Sequence, residues 1–161
     1  MTHSFLMTAG RYLRRRVQLL PVAAALLMAC DSHPYDAAQV PVITITPLVA
    51  LPTVSIGWTP AGAQMVRVYK GTVANDQADL VVWSVTGTGL NTLVSPIEYG
   101  STNPTGGTAD TPGKPLVIGQ PYTVVVSRVD PANASKVGIT TAAPRYQQSQ
   151  TFTLSDTTTR S

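Results

Sequence analysis

Tyr122-Thr-Val-Val-Val-Ser127 is the stretch that decides the fold of this chain of 161 residues. Its residues follow the two-residue period of a β-strand, which places Tyr122, Val124 and Val126 on one face. Prolines at positions 121 and 131 bracket the run and leave little room for a helix. We therefore expect a strand whose apolar face, Tyr122 included, lies in the core.

Six further segments carry strand patterns between turn residues. They are 40–46, 53–58, 64–70, 80–86, 93–99 and 150–154. In the second segment Val54, Ile56 and Trp58 share one face, and we expect all three in the core. The first segment contains Pro41 and Pro47, which have no N–H to donate to a sheet and therefore predict an edge strand.

The composition favours strands over helices. The chain contains 12 glycines and 13 prolines, and only 12% of its residues are charged. Residues 100–115 are rich in Gly, Pro, Thr and Ser without an apolar period, and we interpret them as one long loop. Seven short strands, with no helical period after residue 30, predict an all-β, antiparallel sandwich over residues 40–155, followed by a tail at 156–161.

Three motifs resemble those of a fibronectin type III domain, one of the immunoglobulin-like sandwiches. They are Thr53-Val-Ser-Ile-Gly-Trp58 before Thr59-Pro60, then Val66-Arg-Val-Tyr69, and Leu116 with Gly119-Gln-Pro-Tyr122. The last is similar to a tyrosine corner, in which the hydroxyl of a buried ring forms a hydrogen bond with nearby backbone and closes the corner between the sheets. The resemblance implies a core tryptophan at Trp58 and a corner at Tyr122.

A leader precedes this domain. Arginines at 11 and 14–16 are followed by an apolar run at 17–29, about the length of a secretory hydrophobic region and too short to span a bilayer. The run ends in Leu27-Met28-Ala29-Cys30, which resembles the lipobox of bacterial lipoproteins. The resemblance implies that Leu27, Met28 and Ala29 form the cleavage motif and that Cys30 is acylated as the mature N-terminus. Residues 1–29 are then a signal peptide and 30–39 a polar tether.

Two other interpretations of this segment stay open: an uncleaved signal-anchor helix, and a cysteine that lies near a signal peptide by chance. Lipidation of Cys30 makes membrane lipid its partner. Each buried methylene contributes about 0.8 kcal/mol, so several acyl chains on one cysteine anchor a protein firmly. The expected location is the exported side of a bacterial cell membrane or outer membrane.

The formal charge of +3 does not indicate nucleic-acid binding. Four of the 11 basic residues lie in the leader, and none of the eight acidic residues does. The chain from Cys30 onward therefore carries seven basic against eight acidic residues, a formal charge of −1. This balance removes the compositional argument for a nucleic-acid partner.

Few residues support catalysis. The two histidines, His3 and His33, lie in the leader and the tether, so no catalytic triad or His-based zinc site fits inside the domain. Cys30 is the only cysteine, which excludes a disulfide within the chain. We expect no catalytic residue, no metal and no cofactor. An enzyme using Glu98, the only glutamate, with an aspartate is the remaining catalytic alternative.

Two polar segments are candidate ligand sites. Asn75, Asp76 and Asp79 offer oxygen ligands to calcium, but without the spacing of a calcium loop they equally suit a polar hairpin turn. The long loop at 100–115, with Asn103 and Asp110, is a possible binding loop because long loops on rigid sandwiches often carry recognition. Its composition also suits an excursion without function.

One apolar stripe is a candidate partner surface. Val81, Trp83 and Val85 share a face of the fourth strand, whose other face is also apolar. The stripe marks a protein contact if it is exposed. The alternative is that the long loop folds over it.

These observations predict a lipid-anchored, non-catalytic binding or assembly module of a bacterial cell envelope, whose partner is an envelope protein or a glycan. An alternative is a structural accessory or spacer subunit of an envelope complex, with no ligand of its own.

Overall fold

The computed structural model describes residues 34–48, 52–72, 79–138 and 143–155. The cleavage motif, Cys30, Asn75, Asp76 and the tail at 156–161 lie outside the described residues, and so does the leader. Contacts along the chain group Tyr35–Ser161 into one compact unit.

The described residues form eight strands and two short helices. The strands are β1 (Val42–Leu48), β2 (Thr53–Thr59), β3 (Met65–Lys70), β4 (Val81–Gly87), β5 (Ile97–Glu98), β6 (Gly107–Thr111), β7 (Pro121–Val129) and β8 (Pro144–Thr153). A 3-10 helix covers Ala37–Gln39, and α1 covers Pro131–Val137.

The strands pair into two antiparallel sheets. The smaller sheet has the order β1-β2-β5, and the larger has the order β6-β4-β3-β7-β8. The expected all-β sandwich of two antiparallel sheets is confirmed. The edge position expected for the first strand is also confirmed, since β1 pairs only with β2 among the described strands.

Apolar side chains from both sheets form the core. Val54, Ile56 and Trp58 of β2 are buried, and so are Tyr122, Val124 and Val126 of β7, together with Val66, Val68, Trp83, Val85 and Leu93. The register pairs Val66 with Val126 and Val68 with Val124, so these valines share the inner face of the larger sheet. The two-residue period therefore placed this face correctly.

The segment 93–99 contains less strand than its pattern indicates. Leu93 forms an isolated bridge with Ala63, and regular pairing is limited to β5. Between them the Ser95–Pro96 peptide bond is cis, and Pro96 has no N–H for a ladder. The Ser95 hydroxyl instead accepts a 2.8 Å hydrogen bond from the backbone N–H of Trp58.

Residues 100–115 are not one loop, contrary to the sequence interpretation. They contain β6, which pairs with β4 through residues 84–87. The alternation of half-buried and exposed positions in β6 involves Gly, Thr, Ala and Asp only. An edge strand without large apolar residues leaves no hydrophobic period to detect.

Two short helices lie after residue 30, where the sequence has no run of helical period. The Asp36 side chain accepts from Ala38 N–H and starts the 3-10 helix inside the expected tether. Asp130 caps α1 by accepting from Ala132 N–H at 2.9 Å, and Pro131 begins the helix. An aspartate before a proline is a helix start signal, because the carboxylate satisfies a free N–H and proline needs none.

Candidate functional site

A cleft of about 470 Å³ opens between the edge strands of the two sheets. It lies beside the start of β1 and the middle of β8. Its lining consists of Ala37, Val40, Pro41, Val42, Ile43, Gln148, Ser149 and Gln150. These residues carry no formal charge, so the cleft suits an uncharged ligand or chain segment.

The β1 side of the cleft is protected against further pairing. Tyr99 N–H donates to the Val54 carbonyl. The backbone N–H and C=O groups of even-numbered β2 residues therefore point toward β5, and those of odd-numbered residues point toward β1. Each β1–β2 pair joins an odd-numbered and an even-numbered residue. The backbone groups of even-numbered β1 residues therefore point toward β2, and those of odd-numbered residues point away from the sheet. Pro47 occupies such a position, and Pro41 precedes the strand in the same phase. Both prolines therefore cost β1 no hydrogen bond and remove donors from its free edge.

The β8 side lacks this protection. The Pro121 carbonyl accepts a hydrogen bond from the N–H of Gly71, the residue after β3. The backbone groups of odd-numbered β7 residues therefore point toward β3, and those of even-numbered residues point toward β8. The β7–β8 register joins even to even and odd to odd residues. Gln147, Ser149 and Thr151 therefore point their N–H and C=O groups away from β7. These backbone groups have no hydrogen-bond partner among the described residues.

The side chains of β8 are polar and mostly exposed. Residues 147–151 are all exposed, whereas Tyr146 is buried and Phe152 is half-buried against Tyr122, with ring centroids 5.6 Å apart. Gln148 and Gln150 lie opposite Val126 and Val124, so they occupy the inner face at the mouth of the cleft. The edge is thus held by aromatic residues near its ends and open in its middle.

Charged residues near β8 are engaged in structural contacts. Arg145 forms an ion pair with Asp130, the cap of α1, and its guanidinium lies 5.9 Å from the ring centre of Tyr146. Tyr146 also contacts the ring of Tyr35 at 5.4 Å. These contacts fix one end of the cleft.

The neighbouring cation, Arg128, serves the fold. Its guanidinium donates to the carbonyls of Pro60 and Ala61, both at 2.9 Å, and ties β7 to the turn after β2. Burial lowers the pKa of this guanidinium, and the charge of Tyr146 opposes the shift. The two hydrogen bonds to backbone carbonyls give Arg128 a structural role.

The expected partner surface at Val81, Trp83 and Val85 is wrong. Trp83 and Val85 are fully buried and Val81 is half-buried, because this face of β4 lies beside Val66 and Val68 of β3 on the inner face of the larger sheet. The alternative, that the segment after β5 folds over the stripe, matches the contacts at Trp83. Its indole N–H donates to the Ser101 carbonyl at 3.3 Å.

Tyr99 packs against Trp83 and covers the same part of the core. Its ring lies 5.3 Å from Trp83, and its hydroxyl contacts the carbonyls of Lys114 at 2.6 Å and Val82 at 3.3 Å. Burial raises the pKa of Tyr99 above its ordinary value, Tyr122 adds to this, and the Lys114 contact opposes it. A neutral hydroxyl therefore joins β4 to the segment that follows β6.

The two residues of the expected binding loop lie in different settings. Asn103 is exposed in the turn before β6. Asp110 is an exposed residue of β6 itself, and its carboxylate accepts a 2.6 Å hydrogen bond from the Thr86 hydroxyl on β4. The structure thus gives Asp110 a cross-strand contact within the sheet.

The tyrosine at 122 has the geometry of a corner. Its ring is buried, and its hydroxyl accepts a 2.9 Å hydrogen bond from the N–H of Val117, five residues upstream. Leu116 is buried beside it, whereas Val117 and Ile118 are exposed. The core tryptophan, Trp58, is buried as well, and its indole nitrogen has no hydrogen-bond partner in the described part of the chain.

Neither a metal cluster nor a membrane span is found in the described ranges. No group of three or more His, Cys, Asp or Glu side chains is close enough there to hold a metal ion. No helix within these ranges is long and apolar enough to cross a bilayer.

Sequence reasoning missed the β8 edge as a site. The predicted strand covered 150–154, whereas β8 starts at Pro144. The unpredicted part of β8 carries a weak sequence signal, because Tyr146 lies on the same side of the strand as Phe152 and Leu154. Gln148 and Gln150 break the apolar pattern between them, and pattern reasoning depends on that pattern.

Comparisons with family models, with curated proteins and with solved structures find no match to this chain.

Proposed function

We propose that this chain is a lipid-anchored, non-catalytic assembly module of a bacterial cell envelope. Cys30 holds the domain at the exported side of a membrane, and the domain joins other polypeptide through its sheet edge. The observation that carries the binding part is the open edge of β8 beside an uncharged cleft. A row of free backbone donors and acceptors is a template for strand addition.

We also propose that the sandwich is of the fibronectin type III, immunoglobulin-like type. The hydrogen bond from Val117 N–H to the Tyr122 hydroxyl supports this, since it is the bond that a tyrosine corner makes. The buried Trp58 on β2 supports it as well.

The anchoring part rests on the leader and on Cys30. In a bacterial host, wild-type chain should fractionate with membranes, and its peptide containing residue 30 should carry acyl chains by mass spectrometry. Cys30→Ala should leave the chain unacylated, because no other thiol is present. Ser32→Ala, two residues away, is the matched control and should behave as wild type.

A residue-30 peptide with a bare sulfur and the leader still attached would refute lipidation. Acylation together with a domain that contacts no polypeptide would instead favour a spacer subunit. Shortening residues 100–115 does not distinguish these functions, because β6 and the cover over Trp83 belong to the folded sandwich.

A further inference from the structure

We propose that two copies of this chain join edge to edge through antiparallel pairing of their β8 strands, which fuses the two larger sheets into one. This inference rests on the proposed assembly function and names its partner as a second copy. It starts from the free N–H and C=O groups of Gln147, Ser149 and Thr151.

The backbone of β8 is self-complementary about Ser149. With a two-fold axis at this residue, Ser149 lies opposite Ser149 of the second copy, and Gln147 lies opposite Thr151 of the second copy. All three have their free groups on the open edge, so each facing pair exchanges both of its hydrogen bonds. An isologous contact of this kind closes at two copies, because it uses the β8 edge of both.

The side chains agree with self-pairing. In this register Gln148 of one copy faces Gln150 of the other across a close, non-hydrogen-bonded pair. An amide both donates and accepts, so facing glutamines complement one another. Residues 146–153 contain no charged residue and no proline, the two devices that usually block an edge. Like charges, which would oppose a symmetric pair, are absent from this stretch.

The remaining sheet edges in the described part of the chain are less suited to pairing. Pro41 and Pro47 remove donors from β1, and β5 has two residues only. Along β6, Ala109 N–H donates to the Thr102 carbonyl, and Gly107 N–H donates to Pro104. The segment before β6 thus fills that edge from within, whereas the cleft leaves room beside the middle of β8.

Ser149→Pro tests the pairing in the full-length chain, purified in a nonionic detergent. At this outward-facing position proline removes no β7–β8 hydrogen bond, so the β-sheet circular dichroism should match wild type. We expect wild type to show a concentration-dependent dimer by sedimentation. In Ser149→Pro its association should weaken by at least about tenfold, since the central bonds are lost in both copies. Ser149→Ala keeps the N–H and should dimerise as wild type.

Disulfide trapping gives an independent readout in membranes. Facing Cα atoms in such a pair are about 5.5 Å apart, within the range of a disulfide. Ser149→Cys should therefore yield a covalent dimer on mild oxidation. Thr44→Cys, an exposed position on the edge strand of the smaller sheet, should yield far less.

Monomeric wild type at every concentration, or equal trapping at residues 44 and 149, would overturn the inference. So would a dimer that Ser149→Pro leaves intact. These results do not depend on acylation. A chain that dimerises but carries a bare Cys30 therefore refutes the anchor alone, and an acylated chain without dimers refutes the pairing alone.

Discussion

Three buried aromatic residues each carry a polar atom into the core and pair it with a backbone group. Trp83, Tyr99 and Tyr122 are all buried, and each finds a backbone partner for its polar atom. Trp58 differs from these three, since its buried indole N–H has no partner in the described chain, and the same holds for the Nε of Arg128. Because an unpaired buried donor lowers stability while a paired one contributes to it, the two tryptophans are not equivalent.

Trp83→Phe should therefore destabilise the fold by about 1 kcal/mol more than Trp58→Phe. Both changes remove a similar volume from the core. Trp83→Phe leaves the Ser101 carbonyl without its hydrogen-bond donor, whereas Trp58→Phe removes a donor that has no partner. The measurement is the free energy of unfolding in urea for both variants of the full-length chain. Equal losses would show that the bond to Ser101 contributes nothing.

At the scale of elements, caps and prolines decide where regular structure begins and stops. Proline at the outward-facing position 47 of β1 leaves the pairing with β2 intact and removes one N–H donor from the free edge. Asp130 ends β7 and begins α1 in one step, and its carboxylate also pairs with Arg145 at the start of β8. One buried carboxylate thus positions three elements.

Asp130→Ala should lower the free energy of unfolding by about 1–3 kcal/mol, since α1 loses its cap and the ion pair with Arg145 is lost. Asp130→Asn is the matched control, because an amide still caps α1 but carries no charge. Its loss should be smaller than that of the alanine variant. Thermal unfolding with far-ultraviolet circular dichroism measures both. An alanine variant as stable as wild type would contradict this role.

At the scale of the whole molecule, Tyr99 joins the two sheets. Its backbone N–H bonds to Val54 in the smaller sheet, and its hydroxyl bonds across to Val82 of the larger sheet and to Lys114. Burial raises the pKa of this hydroxyl, so the folded state keeps it neutral after the unfolded chain has lost the proton.

This coupling makes stability depend on alkaline pH. With a folded pKa above the unfolded one, the contribution is complete below about pH 10, the ordinary tyrosine value, and declines as pH rises toward the folded pKa. We expect the free energy of unfolding to fall above about pH 10. The fall should be shallower in Tyr99→Phe, which has no proton to lose. Urea titrations at several pH values between 8 and 11 measure it; equal slopes for both proteins would exclude this coupling.

The amino-acid sequence by itself determined the all-β class, the edge position of β1 and the inner faces of β2 and β7. These features follow from local rules, namely a two-residue apolar period and the missing N–H of proline. Asp130-Pro131 is also a local signal, and pattern reasoning overlooked it. The lipid anchor stays a prediction from the leader.

Only the tertiary structure decided which apolar face is covered and which edge stays open. Val81, Trp83 and Val85 look like either a surface or a core in the sequence, because both faces of β4 are apolar. The outcome depends on residues 99–114, which are distant along the chain. The middle of β8, residues 147–151, has no hydrophobic period. Its free backbone groups exist because β7 pairs on one side and nothing described pairs on the other, and strand order is a property of the assembled sheet.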